Sequence, residues 1–226
     1  MDDKELVGRK AAESVEAGML IGLGTGSTAN YFIKEIGRRV REDGLSLKGV
    51  PSSFSSAILA REEGIPLLSM DEVSKIDLYV DGADEVAPDK SLLKGRGAAM
   101  VREKLLAHSA HRFLIIVDSG KLVEKLGSFF PIPVEVLPFA WLTVQKAILS
   151  LGGKSALRPT TGKDGPLVTD QGNFVLDALF PKNVDWIPLD VALDILPGVV
   201  GHGLFLRYRS KTTVMVSESG NVRVIP

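Results

Sequence analysis

Residues 19–23, 47–50, 76–80 and 113–117 form four short, mostly apolar runs, and a stretch of helical periodicity separates each from the next. Runs of four or five residues are too short for buried helices. Their apolar residues fall on both alternating faces, which predicts strands covered on both sides. A helix between every two strands is the connection that parallel neighbours require. The helices are expected over 3–15, from the glycine-rich turn after residue 23 to about 42, over 53–63 and over 98–108. Leu6, Ala11 and Val15 are expected inward positions of the first helix. Arg38, Arg39 and Arg41 put positive charge at the end of the second, where it complements the helix dipole.

The rhythm changes at Phe130-Pro131-Ile132-Pro133. A strand over 134–137, a helix over 139–151 ended by Gly152-Gly153, strands over 154–158 and 173–178, a helix over 189–196 closed by Pro197-Gly198 and a strand over 199–205 give the order βαββαβ. That is the ferredoxin-like split motif, which can stand as a small domain. Residues 212–217 and 221–225 flank Glu218-Ser219-Gly220 and read as a hairpin. The expected class is α/β: a Rossmann-like parallel sheet with helices on both faces over 1–130, a small ferredoxin-like α+β domain over 131–206, and a hairpin over 207–226 that returns to the first domain.

Composition excludes several kinds of chemistry. No cysteine is present, so disulfides, thiolate metal sites, iron–sulfur clusters and a thiol nucleophile are out. With 27 basic and 28 acidic residues the net charge is −1, which provides no field for nucleic acid or anionic lipid. The run Arg207-Tyr208-Arg209 is too small to argue for RNA. The apolar run 113–117 is far below the roughly 20 residues of a membrane span. The charged start MDDKELVGRK is not a signal peptide, so a cytoplasmic location is expected. His108 and His111 lie three apart, but two histidines do not make a zinc site. His202, between glycines, is expected to be structural, Trp141 to lie in the core and Trp186 in a loop.

Four loops carry candidate chemistry. Gly22-Leu23-Gly24-Thr25-Gly26-Ser27-Thr28 joins a strand to a helix, where glycines allow a tight turn and the helix start offers free N–H groups to an anion. A dinucleotide fingerprint would need glycine at position 27 and an acid after the second strand, where Pro51-Ser52-Ser53 stands. Asp81-Gly82-Ala83-Asp84-Glu85 follows the third strand; its paired carboxylates suit sugar hydroxyls, a metal or a proton in transit, or simply a capped, solvated turn. Lys94-Gly95-Arg96-Gly97 enters a helix that carries Glu103, a candidate general base, although Arg102-Glu103-Lys104 also fits a solvated face. Asp118-Ser119-Gly120-Lys121 follows the fourth strand. In a parallel sheet such loops share one rim and can converge on one ligand. A sugar-phosphate sensor on the same fold would need a helix-turn-helix, and only one helix precedes the first strand. A deaminase or lactonase would not be expected to combine Asp81, Asp84, Lys94 and Glu103 in these settings.

The motifs GLGTGSTAN, YVDGADEV, KGRGAAMVREK, DSGK and PIPVEVLPFA, with VTDQGNFVLD and LPGVVGHGLF in the second domain, closely resemble the type A ribose-5-phosphate isomerases, in order and along essentially the whole chain. The resemblance implies interconversion of D-ribose 5-phosphate and D-ribulose 5-phosphate through an enediolate, in the non-oxidative pentose phosphate pathway, with no cofactor and no metal. It implies a sugar phosphate as the partner, without nucleic acid or membrane, in a homodimer or homotetramer. By resemblance Thr25, Gly26, Ser27 and Thr28 bind substrate, and Lys4 contacts the phosphate. Asp81 and Asp84, with Gly82 and Ala83 between them, serve sugar binding and ring opening. Lys94 is the active-site lysine in a loop with Gly95, Arg96 and Gly97, Glu103 is the base, and Lys121 is a further substrate-binding lysine. The family commonly has glycine where this chain has Arg96.

Overall fold

The computed structural model describes residues 2–162 and 164–226. Along the chain run α1 (Asp3–Ala12), β1 (Leu20–Leu23), α2 (Ser27–Glu42), β2 (Lys48–Pro51), α3 (Phe54–Glu62), β3 (Ile76–Asp81), β4 (Glu85–Val86), β5 (Leu92–Leu93), α4 (Met100–Ser109) and β6 (Ala110–Asp118). There follow β7 (Ile132–Val136), α5 (Trp141–Ser150), β8 (Lys154–Leu157), β9 (Phe174–Leu179), α6 (Trp186–Asp194), β10 (Val199–His202), β11 (Leu204–Phe205), β12 (Thr212–Glu218) and β13 (Asn221–Ile225). Contacts divide the chain into two units. The first comprises the chain up to Ala83, Arg102–Leu122 and Arg207–Pro226; the second comprises Asp84–Val101 and Val123–Leu206.

The first unit is built on a six-stranded sheet in the order β13-β12-β6-β3-β1-β2. All neighbours are parallel except the β12–β13 hairpin. The C-terminal hairpin therefore extends the sheet beyond β6, with Val214 opposite Ile115. On one face Leu78, Val80, Leu114 and Ile116 pack against Val7 and Ala11 of α1 and Phe32, Ile33 and Ile36 of α2. On the other, Tyr79, Phe113 and Ile115 are equally buried, and the Tyr79 and Phe113 rings stack 4.9 Å apart. Each fully buried Ile or Phe contributes about 1.5–3 kcal/mol. Val7 takes the inward place expected of Leu6, which is only half-buried, and the helix stops at Ala12, short of Val15. Asp2 opens α1 by accepting from Glu5 N–H at 2.7 Å, and Ser53 opens α3 in a reciprocal box with Ser56.

The second unit contains a four-stranded antiparallel sheet, β10-β7-β9-β8, with α5 and α6 in the βαββαβ order. Val134, Val136, Leu176 and Ala178 of the strands meet Val144 and Ile148 of α5 and Leu189 and Leu193 of α6 in its core. Trp141 is half-buried against that core, and Trp186, expected in a loop, begins α6. A separate three-stranded sheet, β11-β5-β4, belongs to this unit. Residues 84–101, which the sequence groups with the first domain, are in the second unit because β4 and β5 pair with β11 and not with the six-stranded sheet. Residues 123–130 follow them. Glu85, fully buried, accepts from the backbone N–H groups of Gly127 and Ser128 on Oε2 and of Phe129 and Phe130 on Oε1. His202 is structural in its contacts: Nδ1 accepts from Leu204 N–H, and Nε2 lies 2.8 Å from Asp194 Oδ1.

Candidate active site

In a parallel sheet every strand ends at the same edge, and the loops leaving β1, β2, β3 and β6 share that edge of the first unit. The centre of the arrangement is Asp81, the last residue of β3, which is fully buried. Its Oδ1 accepts from Thr25 N–H at 3.0 Å and Gly82 N–H at 2.8 Å, and its Oδ2 accepts from the Tyr79 hydroxyl. The glycine-rich turn thus folds down onto a carboxylate. Gly24 is needed there because a Cβ would fall 2.6 Å from Asp81 Cα and nearer still to its Oδ1. Gly26 has φ +116°, a backbone conformation that side chains disfavour. The Thr25 hydroxyl bonds to Ser52 and Ser53, both at 2.7 Å, so the loop after β2 closes the turn from the other side.

Beyond the turn, α2 begins with no side chain capping its first N–H groups. Those groups and the positive end of the helix dipole face outward beside the exposed Gly26 and Ser27. Lys4 Nζ lies 3.2 Å from Ser27 Oγ and adds a full positive charge. Uncapped amides, hydroxyls and an ammonium in one place are what a phosphate monoester needs. Lys121 stands half-buried on the helical turn after β6, in which Asp118 accepts from Gly120 N–H at 3.1 Å.

Glu103 lies in the first turn of α4 and is only 4% exposed. Its charge reaches Tyr79: burial first, then Asp81 and Glu103, push the Tyr79 phenol well above its ordinary range. Tyr79 therefore remains a neutral donor to Asp81 at physiological pH.

The second unit carries the remaining candidates. Lys94 follows β5 and is 3% exposed; its backbone N–H donates to Gly203 carbonyl at 2.9 Å, and its ammonium lies 5.7 Å from the centre of the Phe205 ring. Asp84 donates its N–H to Leu93 carbonyl, and its Oδ2 accepts from Arg96 N–H at 2.9 Å. The Arg96 guanidinium stacks over the Phe130 ring at 4.9 Å, and Arg96 and Gly97 are exposed. Asp84, Arg96, Phe130, Pro133 and Arg158 line a cavity of about 340 Å³ in this unit.

Each unit thus brings its own candidates together: Thr25, Gly26, Ser27, Thr28, Lys4, Asp81, Gly82 and the buried Glu103 in the first; Asp84, Lys94, Gly95 and Arg96 in the second. Sequence reasoning did not anticipate Tyr79, Ser52 or Ser53. Tyr79 reads as one more core aromatic in an apolar strand, and the two serines register only as a missing acid and, for Ser53, as a helix start. Among the described residues no three His, Cys, Asp or Glu side chains group as metal ligands, and no helix is long and apolar enough to cross a membrane.

The family model of ribose 5-phosphate isomerase A (phosphoriboisomerase A) matches residues 48–220. The chain is 52% identical over 204 residues to the ribose-5-phosphate isomerase A of Thermosynechococcus vestitus, covering 90% of this chain and 86% of that one. It is 50% identical over 222 residues to the Synechococcus sp. protein of that name, covering 98% and 95%. The solved structure of ribose 5-phosphate isomerase A from Methanocaldococcus jannaschii matches with a TM-score of 0.94 at 41% identity, covering 99% of this chain and 98% of that one. A D-ribose-5-phosphate isomerase solved in complex with phospho-erythronic acid matches with a TM-score of 0.94 at 40% identity, covering 100% and 99%. Shared sequence along nearly the full length and a shared fold lead to one conclusion: the chain belongs to the ribose-5-phosphate isomerase A family.

Proposed function

We propose that the chain interconverts D-ribose 5-phosphate and D-ribulose 5-phosphate by moving a proton between C2 and C1 through an enediolate, with the roles that follow. The observation that carries this reading is Lys4, 23 residues away in sequence, bonded to Ser27 at the uncapped start of α2. That is an anion site, which a phosphorylated sugar requires and a free sugar does not. The phosphorylated sugar acid held by a relative of the same fold is a ligand of the class this reading expects.

Thr25, Gly26, Ser27, Thr28, Lys4 and Lys121 hold the phosphate and its end of the sugar. Glu103 takes the C2 proton and returns it to C1; it is a buried carboxylate in the first turn of the helix that follows the Lys94 loop. The Lys94 ammonium meets the oxyanion that develops on the neighbouring oxygen. Gly95, Arg96 and Gly97 contribute the loop edge. Ring opening precedes isomerisation and needs a proton relay among the Asp81-Gly82-Ala83-Asp84 group. Asp81 has both oxygens engaged within its own unit, so it holds the turn, and we assign the relay to Asp84. No step calls for a metal or an organic cofactor. We read the working form as a cytoplasmic homodimer or homotetramer, supported by exposed apolar side chains on the second unit.

The direct test is to follow ribulose 5-phosphate formed from ribose 5-phosphate, with EDTA present and with free ribose alongside. The expected outcome is turnover that EDTA leaves intact, with kcat/KM for free ribose lower by 10²-fold or more, as expected when remote binding energy is lost. Comparable values for the two sugars would remove the assigned role of the Thr25–Thr28 turn.

A further inference from the structure

The Lys94 loop has little of its own to define its shape. It carries Ala98 at φ +58°, a left-handed conformation an alanine does not adopt unaided, and it exposes Arg96 and Gly97. Two of its successive carbonyl oxygens, of Gly95 and Arg96, are both held by one side chain. Arg158 Nη1 donates to the carbonyl oxygens of both Gly95, at 3.0 Å, and Arg96, at 2.9 Å. The other edge of the guanidinium forks onto Asp177, Nε to Oδ2 at 2.9 Å and Nη2 to Oδ1 at 2.5 Å. Four of the five guanidinium donors are thereby spent inside the protein, so Arg158 is not arranged as a ligand-binding cation. Gly95 carbonyl also accepts from Ala98 N–H, and Arg96 N–H donates to Asp84. The one group thus ties together the backbone that leads from Lys94 and the residue that holds Asp84.

The support for Arg158 is itself rigid. Its N–H donates to Val175 carbonyl at 2.8 Å, continuing the β8–β9 ladder, and Asp177 faces Ala156 within that ladder. The pair is largely shielded, with the arginine side chain 13% and the aspartate 25% exposed. A planar fork on a sheet, held by a carboxylate on the next strand, transmits the geometry of the small sheet to the loop.

We propose that Arg158, held by Asp177, is a positioning residue for the isomerisation: it clamps the Gly95 and Arg96 carbonyls so that Lys94 and Asp84 are presented in one fixed geometry. The inference rests on the roles given above to Lys94 and Asp84. Lysine cannot replace this arginine, because an ammonium lacks the planar fork that joins two carbonyls to a carboxylate.

The test uses the full chain with Arg158→Met and Arg158→Lys, and three readouts: kcat and KM for ribose 5-phosphate, competition by inorganic phosphate, and amide exchange across 95–98 and 24–28. Both variants should lose about 10–100-fold in kcat, the scale on which small misplacements act. The inhibition constant for phosphate should stay within about twofold, since the phosphate site is built elsewhere. Exchange should rise at 95–98 and remain unchanged at 24–28. A kcat within about twofold of the parent in Arg158→Met overturns the proposal. So does near-full recovery in Arg158→Lys, which would make the role one of charge, and so does a general rise in exchange, which would make it one of stability. If the parent chain itself lacks isomerase activity, the functional reading fails while the exchange result still decides whether the clamp exists.

Discussion

Glu103 is a buried carboxylate in the first turn of α4, and one substitution tests the role of base proposed for it. Glu103→Gln preserves its volume and removes the proton acceptor. Proton abstraction should then fail with binding preserved: kcat should fall by 10²–10⁴-fold, about 3–5 kcal/mol of barrier, with little change in inhibition by phosphate. Exchange of solvent deuterium into C2 should stop in parallel. A variant keeping more than about a tenth of the parent kcat would pass the role of base to Asp84. Glu85, the neighbour of Asp84 in sequence but turned to a loop of its own, gives a contrasting case. Four consecutive backbone N–H groups converge on its two oxygens. In Glu85→Gln an amide NH₂ must face two of those donors, which should cost about 2–4 kcal/mol of unfolding free energy in a urea titration. A loss below about 0.5 kcal/mol, within the range of ordinary surface changes, would show that the loop rearranges instead.

At the scale of elements, the turn between β1 and α2 and the strand end at Asp81 form one interlocked object. Gly24→Ala places a methyl group against Asp81 and must lift the turn away from it. The expected result is a fall of about 10²-fold in kcat/KM for ribose 5-phosphate, dominated by KM because the amides to which we assign the phosphate move. An unchanged KM would separate the turn from phosphate binding. The same interlock shows where the sequence is readable. The elements of the six-stranded sheet are legible because each carries its own apolar pattern and its own breaker, and the glycine-rich turn because its spacing has a mechanical meaning. The two-residue strands β4 and β5 have no period to detect. The run 199–205 reads as one strand, yet it divides at Gly203 between two sheets, and glycine is required there because a side chain would run into Lys94 carbonyl and lie 2.6 Å from Pro133 Cδ. Contacts such as Lys4 with Ser27, Thr25 with Ser52 and Ser53, or Arg158 with Gly95, join distant segments and leave no local trace. Resemblance supplied Lys4; nothing supplied Arg158.

For the molecule as a whole, apolar surface is unevenly spent. On the second unit Phe139 is 87% and Ile195 74% exposed, with Leu142, Ile187 and Val191 also open. Side chains of this kind are burdens on a monomer and assets in an assembly. Sedimentation should give two or four times the 24.3 kDa of one chain, and Phe139→Glu with Ile195→Glu should shift the mass toward a single chain. A parent protein that sediments at 24.3 kDa would end this expectation.

The partition of the chain has a consequence for heredity. The backbone passes between the two units after Ala83, Val101, Leu122 and Leu206, and the second of these passages lies inside α4. A segment excised from 123 to 206 would carry β7 to β11 but would leave β11 without β5 and the 127–130 loop without Glu85. The small sheet is therefore not a module that recombination can lift out and graft elsewhere. A crossover at 123 and 206 leaves Asp84 and Lys94 behind without β11 and the 127–130 loop, so an exchange that keeps the second unit whole must carry 84–101 together with 123–206.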